Sequence, residues 1–207
     1  MKVIYEPVNI EISDFKKVQA LIDEVPAPKA LVTTAQYLEA IKTIHGCALK
    51  GQVLGCDAGV LKKFKGPNVI YLGTGRFHPL IIKFSFPEIK VFVINPETMK
   101  KTMITEKDVY VFRSRIAAGL DALEHAQKIG IIVSTKTGQF MMSTALSLKE
   151  RFEKQGRKVY IFLFDNINPD EFLNHEVEVL INTACPRIGL DDASSYPVPV
   201  INHDFVK

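Results

Sequence analysis

The chain has 207 residues, of which 47% are hydrophobic and 24% are charged, a composition that excludes a disordered segment and fits an ordinary globular protein. The formal net charge is only +3, and the lysines are scattered, so we expect no direct binding to nucleic acid. No apolar run approaches the ~18 residues of a membrane-spanning helix. The N-terminal segment MKVIYEPVNIEISDF lacks the pattern of a signal peptide, so we expect a cytoplasmic protein without membrane attachment.

The cysteines are Cys47, Cys56 and Cys185, an odd number without a C-x-x-C pair. In a reducing compartment this argues against a disulfide framework and against a self-contained zinc knuckle. The three thiols are therefore interpreted as buried residues, metal ligands or nucleophiles.

In the first half of the chain, apolar runs alternate with helical patterns. Ser13 is a plausible N-cap for a helix, which Pro26 and Pro28 end. A polar loop and a helix to about Ile44 follow the strand at 29–33. The predicted strands of this half are 2–7, 29–33, 48–54, 69–72 and 90–94.

The second half repeats this alternation after a predicted helix over residues 105–128, for which Gly130 is the expected C-terminal stop. A further helix is predicted over 140–155. The predicted strands are 131–134, 158–164, 177–182 and 198–201. The fold class is therefore α/β, with two tandem Rossmann-like or flavodoxin-like units (1–107 and 108–207) whose parallel sheets are flanked by helices.

The two units carry similar loops after their strands. LVTTAQ in the first and IVSTKTGQ in the second each place a hydroxyl residue and a glutamine between a strand and a helix. A later strand ends in GTGRFHP in the first unit and in TACPR in the second. Because ligands bind at the carboxyl ends of strands in open α/β sheets, we expect these loops to face one interdomain crevice.

Glycines frame the loop between the strand at 69–72 and His78-Pro79. Gly73 and Gly75 flank Thr74, and Gly55 precedes Cys56. Glycine permits positive φ and close approach of backbone N–H groups to a ligand, although a pair of tight turns would use the same residues.

Cys56 and Cys185 each lie near the end of a predicted strand, next to glycine or proline. Two thiolates from two domains suit an iron–sulfur cluster, but a cluster with three protein thiolates needs one more. Buried structural cysteines are the alternative, since free cysteine is among the most buried residue types. We expect no disulfide between these two residues.

Five motifs, TTAQ, GQVLGC, GTGRFHP, STKTGQ and ACPRIGLDD, resemble in order and spacing the diphthamide-synthesis family, archaeal 2-(3-amino-3-carboxypropyl)histidine synthase. The family's chain has three similar α/β domains, each giving one cysteine to a central [4Fe–4S] cluster. This sequence resembles the second and third domains, so the first is expected to be absent, in a fragment or in a naturally short paralogue.

The resemblance implies a radical enzyme that cleaves the Cγ–S bond of S-adenosylmethionine and transfers the 3-amino-3-carboxypropyl group to a histidine of translation elongation factor 2. It implies that Cys56 and Cys185 are cluster ligands, whereas Cys47 matches no ligand motif and is interpreted as structural. Two thiolates are one too few, so we expect little activity from the chain alone and a homodimer or a complex with a longer homologue. The alternative is a non-catalytic partner of such a homologue or of the elongation factor.

The remaining candidates are polar residues of the motif loops. Thr34, Gln36, Ser134 and Gln139 are candidate hydrogen-bonding residues, Gly73, Thr74 and Gly75 offer backbone N–H groups, Lys136 could hold an anion and Arg187 a carboxylate. The competing interpretation of each is a strand-end cap or a solvated charge.

Five further residues have less specific interpretations. His78 is interpreted as a turn histidine that could titrate near neutral pH. Asp191 and Asp192 suit a solvated turn, and Arg113 and Arg115 suit ion pairs on the helix between the units.

Overall fold

The computed structural model describes residues 8–55 and 57–207. The chain divides into two compact units, residues 1–109 and 110–207. The strand predicted over 2–7, and the predicted metal ligand Cys56, lie outside the described residues.

The first unit is a five-stranded sheet with helices on its faces. Its strand order is β2-β1-β3-β4-β5, in which the first four strands are parallel. The elements are α1 (Phe15–Asp23), β1 (Lys29–Thr33), α2 (Leu38–Lys42), β2 (Leu49–Gln52), β3 (Asn68–Leu72), α3 (Phe77–Ser85), β4 (Lys90–Asn95) and β5 (Lys100–Ile104), with 3₁₀ helices at Ala35–Tyr37 and Gly59–Lys63.

The central strands β1 and β3 are buried at every position. One face of the sheet packs Val32 and Val69 against Ile82 of α3, and the other packs Leu31 against Ile22 of α1. Both strands are continuous apolar runs because both faces of a parallel sheet are covered.

Strand β5 was not predicted from the sequence, and it makes this sheet mixed rather than parallel. It pairs antiparallel with β4, from Val91↔Ile104 to Asn95↔Lys100. Lys100 and Thr102 are exposed, as expected of an edge strand in which charge discourages pairing with other chains.

Two helix starts differ from the sequence predictions. The N-cap of α1 is Asp14, not Ser13, because the Asp14 side chain accepts a hydrogen bond from the Lys17 N–H at 2.9 Å. The segment at His78-Pro79 is not a turn but the first turn of α3, where proline is tolerated because that N–H has no partner within the helix.

The second unit is a four-stranded parallel sheet in the order β7-β6-β8-β9. In both units, the first strand in the chain lies between the second and the third, and the fourth follows the third, so the order β7-β6-β8-β9 corresponds to β2-β1-β3-β4. The elements are α4 (Glu106–His125, whose first turn belongs to the first unit), β6 (Lys128–Ser134), α5 (Met142–Glu153), β7 (Lys158–Phe164), β8 (Val179–Asn182) and β9 (Val200–Asn202), with 3₁₀ helices at Pro169–Phe172, Ala193–Ser195 and His203–Phe205.

Gly130 was predicted to stop α4, and this was wrong because Gly130 lies inside β6. A Cβ at this position would lie 2.6 Å from Leu180 Cδ2 and 2.9 Å from Phe162 Cε2. The glycine therefore allows close packing of neighbouring strands, and the helix ends at His125 instead.

Together these sheets confirm the α/β fold class, with parallel-rich sheets flanked by helices. In the part of the chain that the structure describes, no helix is long and apolar enough to cross a membrane.

Candidate half-sites at the strand ends

In each sheet, the second strand in the chain is added on one side of the first strand and the third strand on the other side. The strand order therefore reverses once, at the pair formed by the first and third strands. In the first unit this switch point lies between β1 and β3, and in the second between β6 and β8. Ligands of open α/β sheets bind outside the carboxyl ends of such strand pairs. Thr34 and Gly73 follow β1 and β3, while Thr135 and Thr183 follow β6 and β8, so the motif loops lie at both switch points.

Thr34 lies in extended backbone directly after β1. Its Oγ1 is buried and has no hydrogen-bond partner of standard geometry among the described residues. Gln36 is half-buried, and its carbonyl accepts from Ile10 N–H at 2.8 Å. Since buried hydroxyls are almost always paired, Thr34 is suited to a ligand or an ordered water.

The loop after β3 offers fewer backbone donors than the sequence indicates. Gly73 N–H already donates to Ile94 O at 3.0 Å. The described residues provide no partner for the N–H groups of Thr74 and Gly75. Gly75 has a φ of +78°, which glycine adopts readily.

Tyr71 is a site residue that sequence reasoning missed. Its hydroxyl donates to Thr74 O at 3.3 Å and lies 3.5 Å from His78 Nδ1. Burial raises the pKa of Tyr71 to about 12, while the nearby Thr34 hydroxyl acts in the opposite direction. The only signal in the sequence was a tyrosine within an otherwise aliphatic strand end.

In the second unit, the loop after β6 is closed by its own side chains. Ser134 is buried, and its Oγ accepts from Lys136 N–H at 3.1 Å. Lys136 Nζ donates to Asn166 Oδ1 at 2.9 Å. Gln139 is half-buried, and its N–H donates to Lys136 O. Of the predicted hydrogen-bonding residues here, Ser134 therefore acts as a turn cap within the protein.

Cys185 lies three residues beyond the end of β8 as a half-buried free thiol. Its carbonyl accepts from Asn182 Nδ2 at 2.9 Å and from Ile188 N–H at 3.0 Å. A cysteine held at a switch point, outside any disulfide, has the soft donor that iron–sulfur clusters use.

Arg187 is engaged with the acidic turn that follows it. Its Nη2 lies 2.9 Å from Asp191 Oδ2, and its Nε lies 3.5 Å from Asp192 Oδ1. Arg115, expected in an ion pair, instead donates to the carbonyl oxygens of Leu190 and Asp191. Both arginines therefore bind the turn that follows Cys185.

Cys47 lies elsewhere, beside the helical face of the first sheet, where its thiol packs against the core. Desolvation raises the pKa of this thiol, and Lys29 and Lys50 partly offset the rise. Among residues 8–55 and 57–207, no three His, Cys, Asp or Glu side chains form a group that could hold a metal ion. Of the residues present, Cys185 fits an iron–sulfur cluster in donor type and accessibility.

Comparison with known proteins places this arrangement in a family. The sequence profile of the family described as "Putative diphthamide synthesis protein" matches residues 1–204. The chain belongs to the diphthamide synthesis family. This confirms the resemblance carried by the five motifs.

Curated relatives of the family are similar over most of the chain. The 2-(3-amino-3-carboxypropyl)histidine synthase of Methanocaldococcus jannaschii is 33% identical over 86% of this chain and 50% of its own length. The Pyrococcus horikoshii synthase is 32% identical over 73% of this chain and 43% of its own length. The chain spans about half the length of these curated relatives.

Solved structures of the family share the fold. The crystal structure of Dph2 from Pyrococcus horikoshii with a 4Fe-4S cluster matches 93% of this chain and 59% of its own, with 28% identity and a TM-score of 0.76. A second structure of the same Dph2 gives a TM-score of 0.80, with 27% identity over 96% of this chain and 62% of its own.

Proposed function

We propose that this chain takes part in the first step of diphthamide formation, the transfer of a 3-amino-3-carboxypropyl group from S-adenosylmethionine to a histidine of translation elongation factor 2. The observation that carries the proposal is the free, half-buried thiol of Cys185 at the switch point of the second sheet. Membership in a family with a cluster-bound relative supports a role for this thiol as a cluster ligand.

In this proposal Cys56 and Cys185 are two thiolate ligands of a [4Fe–4S] cluster. The bound cluster supplies an electron and an open iron position for S-adenosylmethionine. The protein residues bind and orient the co-substrate, with the buried Thr34 hydroxyl at the first switch point and the half-buried Gln139 at the second.

Two thiolates leave a cluster short of the ligand that a third would provide. We therefore propose that the active assembly includes a third thiolate from outside these 207 residues, which a second copy or a longer homologue can supply. S-adenosylmethionine and the elongation factor then bind to that assembly rather than to the isolated chain.

The experiment is anaerobic reconstitution of the full 207-residue chain, followed by iron analysis and absorbance near 400 nm, with and without a longer homologue. We expect a weak, easily lost chromophore alone and a stable one in the mixture. If neither preparation holds iron, while the chain still binds the homologue or elongation factor 2, the chain is a non-catalytic partner and the proposal is wrong.

A further inference from the structure

The polar contacts beneath Cys185 centre on two buried asparagines. Asn182 ends β8 and Asn202 ends β9, and the two residues are paired in the parallel register of these strands. They are 1% and 2% exposed. Buried amides at this depth are stable only when their hydrogen bonds are made.

The two side chains bond to each other and to the backbone around Cys185. Asn182 Nδ2 donates to Asn202 Oδ1 at 2.6 Å and to Cys185 O at 2.9 Å. Asn182 Oδ1 accepts from Ala184 N–H at 3.0 Å, and Asn202 Nδ2 donates to Pro186 O at 2.7 Å. Three consecutive residues, with the cysteine at their centre, are therefore fixed by two side chains.

Gly189 leaves the space that the Asn202 amide occupies. A Cβ at residue 189 would lie 2.3 Å from Asn202 Oδ1 and 2.7 Å from Asn202 Cγ. Such distances are too short for any real contact, so a larger residue would displace the Asn202 amide. The motif ACPRIGLDD therefore needs its glycine because of the asparagine on β9, not because of an unusual backbone angle.

We propose that Asn182 and Asn202, with Gly189 leaving room for the Asn202 amide, are positioning residues that hold the Cys185 thiol in the orientation required to ligate the cluster. A pair of buried amides adds little net stability compared with an apolar pair of similar shape. What the pair adds is geometry, because each donor fits one carbonyl of the loop. This inference rests on the proposed function of Cys185 as a ligand.

The test compares three variants of the full chain. Asn202→Ala removes the bonds to Asn182 and Pro186, and Gly189→Ala displaces the same amide while both asparagines remain. Ile181→Val is the matched control, since it trims a fully buried side chain of β8 that makes no polar contact with the loop. Thermal unfolding identifies any variant that does not fold.

The first readout is alkylation of Cys185 in reduced, metal-free protein, followed by peptide mass spectrometry, with Cys47 as the internal reference. We expect the Cys185 rate to rise about fivefold to tenfold in Asn202→Ala and Gly189→Ala, the effect of losing one net hydrogen bond on a local opening equilibrium. The Ile181→Val rate should equal that of the wild type, and the Cys47 rate should not change. Wild-type Cys185 rates in both loop variants would overturn the inference.

The second readout is iron retained per chain after reconstitution with a longer homologue and desalting. We expect lower retention in Asn202→Ala and Gly189→Ala than in Ile181→Val. Faster labelling with unchanged iron retention would show that the asparagine pair does not serve the cluster, and would overturn the inference. If the wild type holds no iron in any mixture, the proposed function fails, whereas the labelling rates still decide whether the pair holds the loop.

Discussion

Tyr71 and His78 are stacked in the first unit, with ring planes 11° apart and ring centroids separated by 5.8 Å. The stack joins the end of β3 to the first turn of α3, and the loop at 73–75 lies between them in sequence. The phenol also donates to the Thr74 carbonyl. Tyr71 is therefore the side chain that fixes the shape of this loop.

Removing the Tyr71 hydroxyl tests this role. We expect Tyr71→Phe to lower the free energy of unfolding by about 1 kcal/mol near pH 8, the net value of one hydrogen bond. Because burial raises the pKa of Tyr71 from 10.0 to about 12, its contribution to stability is fully present below about pH 10 and is lost as the pH rises through about 12. Urea denaturation at several pH values measures both effects. Tyr160→Phe, which alters an exposed phenol of the second unit, should leave stability nearly unchanged, and an equal loss in both variants would contradict the prediction.

The glycines on either side of Thr74 should respond differently to alanine. A Cβ at residue 73 would lie 2.8 Å from the Tyr71 hydroxyl oxygen, whereas a Cβ at residue 75 would meet no atom within 4 Å. Both glycines have a positive φ, so we expect Gly75→Ala to cost about 1 kcal/mol through its backbone angle alone, and Gly73→Ala about 2 kcal/mol through its backbone angle and displacement of Tyr71. Chemical denaturation gives the two values, and near-ultraviolet circular dichroism should change only in Gly73→Ala. A larger cost at residue 75 would show that the backbone angle, rather than contact with Tyr71, limits this loop.

Asp108 lies in the first turn of α4, within the first unit, and its side chain bonds back to Thr105, the residue before the helix. Its Oδ2 accepts from the N–H and the hydroxyl of Thr105, and its Oδ1 accepts from Arg76. The bonds from Thr105, and then Arg76, hold the pKa of this carboxyl below its usual value. We expect Asp108→Asn to lower the free energy of unfolding at neutral pH by about 1 kcal/mol, as for other helix caps.

The pH dependence of this variant follows from the sign of the shift. A lowered folded-state pKa means that the stabilisation by Asp108 is present above its unfolded pKa and is lost as the pH falls through the folded value. The wild type and Asp108→Asn should therefore converge in strongly acidic solution in urea denaturation series. Asp121→Asn, on an exposed position of the same helix, serves as the control, and a difference between wild type and Asp108→Asn that persists in acid would refute the assignment.

Cys47 and Cys185 should differ in their effect on iron. Cys47 packs against the core beside α1 and α2, so Cys47→Ala should change iron retention little. Cys185→Ala should remove a ligand and reduce iron retention severely in any reconstituted mixture. Iron analysis after anaerobic desalting distinguishes the two cysteines. Equal losses would mean that Cys47 also takes part in the metal centre.

The central strands could be predicted from the sequence because they are continuous apolar runs. The run at 29–33 coincides with β1, and the run at 69–72 lies within β3. Strand β5 could not be predicted in this way, since an edge strand such as KKTMI needs no apolar run. Helix α3 was not predicted because His78 was interpreted as part of a turn, although the proline that follows it is tolerated in a first helical turn.

The positions of the motif loops could also be predicted, because strand ends of a parallel sheet lie at one edge. Their internal contacts could not be. Tyr71 meets His78 through the turn into α3, and Asn182 meets Asn202 across two strands that are far apart in sequence. The one available signal was that the apolar runs VLIN and VIN both end in asparagine.

The most direct test of the proposed function is the formation of methylthioadenosine from S-adenosylmethionine. Reconstituted protein is incubated anaerobically with dithionite and S-adenosylmethionine, alone and with a longer homologue. In that homologue the cluster cysteines that correspond to Cys56 and Cys185 are replaced, and only the remaining cluster cysteine is kept. We predict little product from the chain alone and multiple turnovers in the mixture, abolished by Cys185→Ala. Multiple turnovers from the lone chain, or turnover in the mixture that survives Cys185→Ala, would contradict the account.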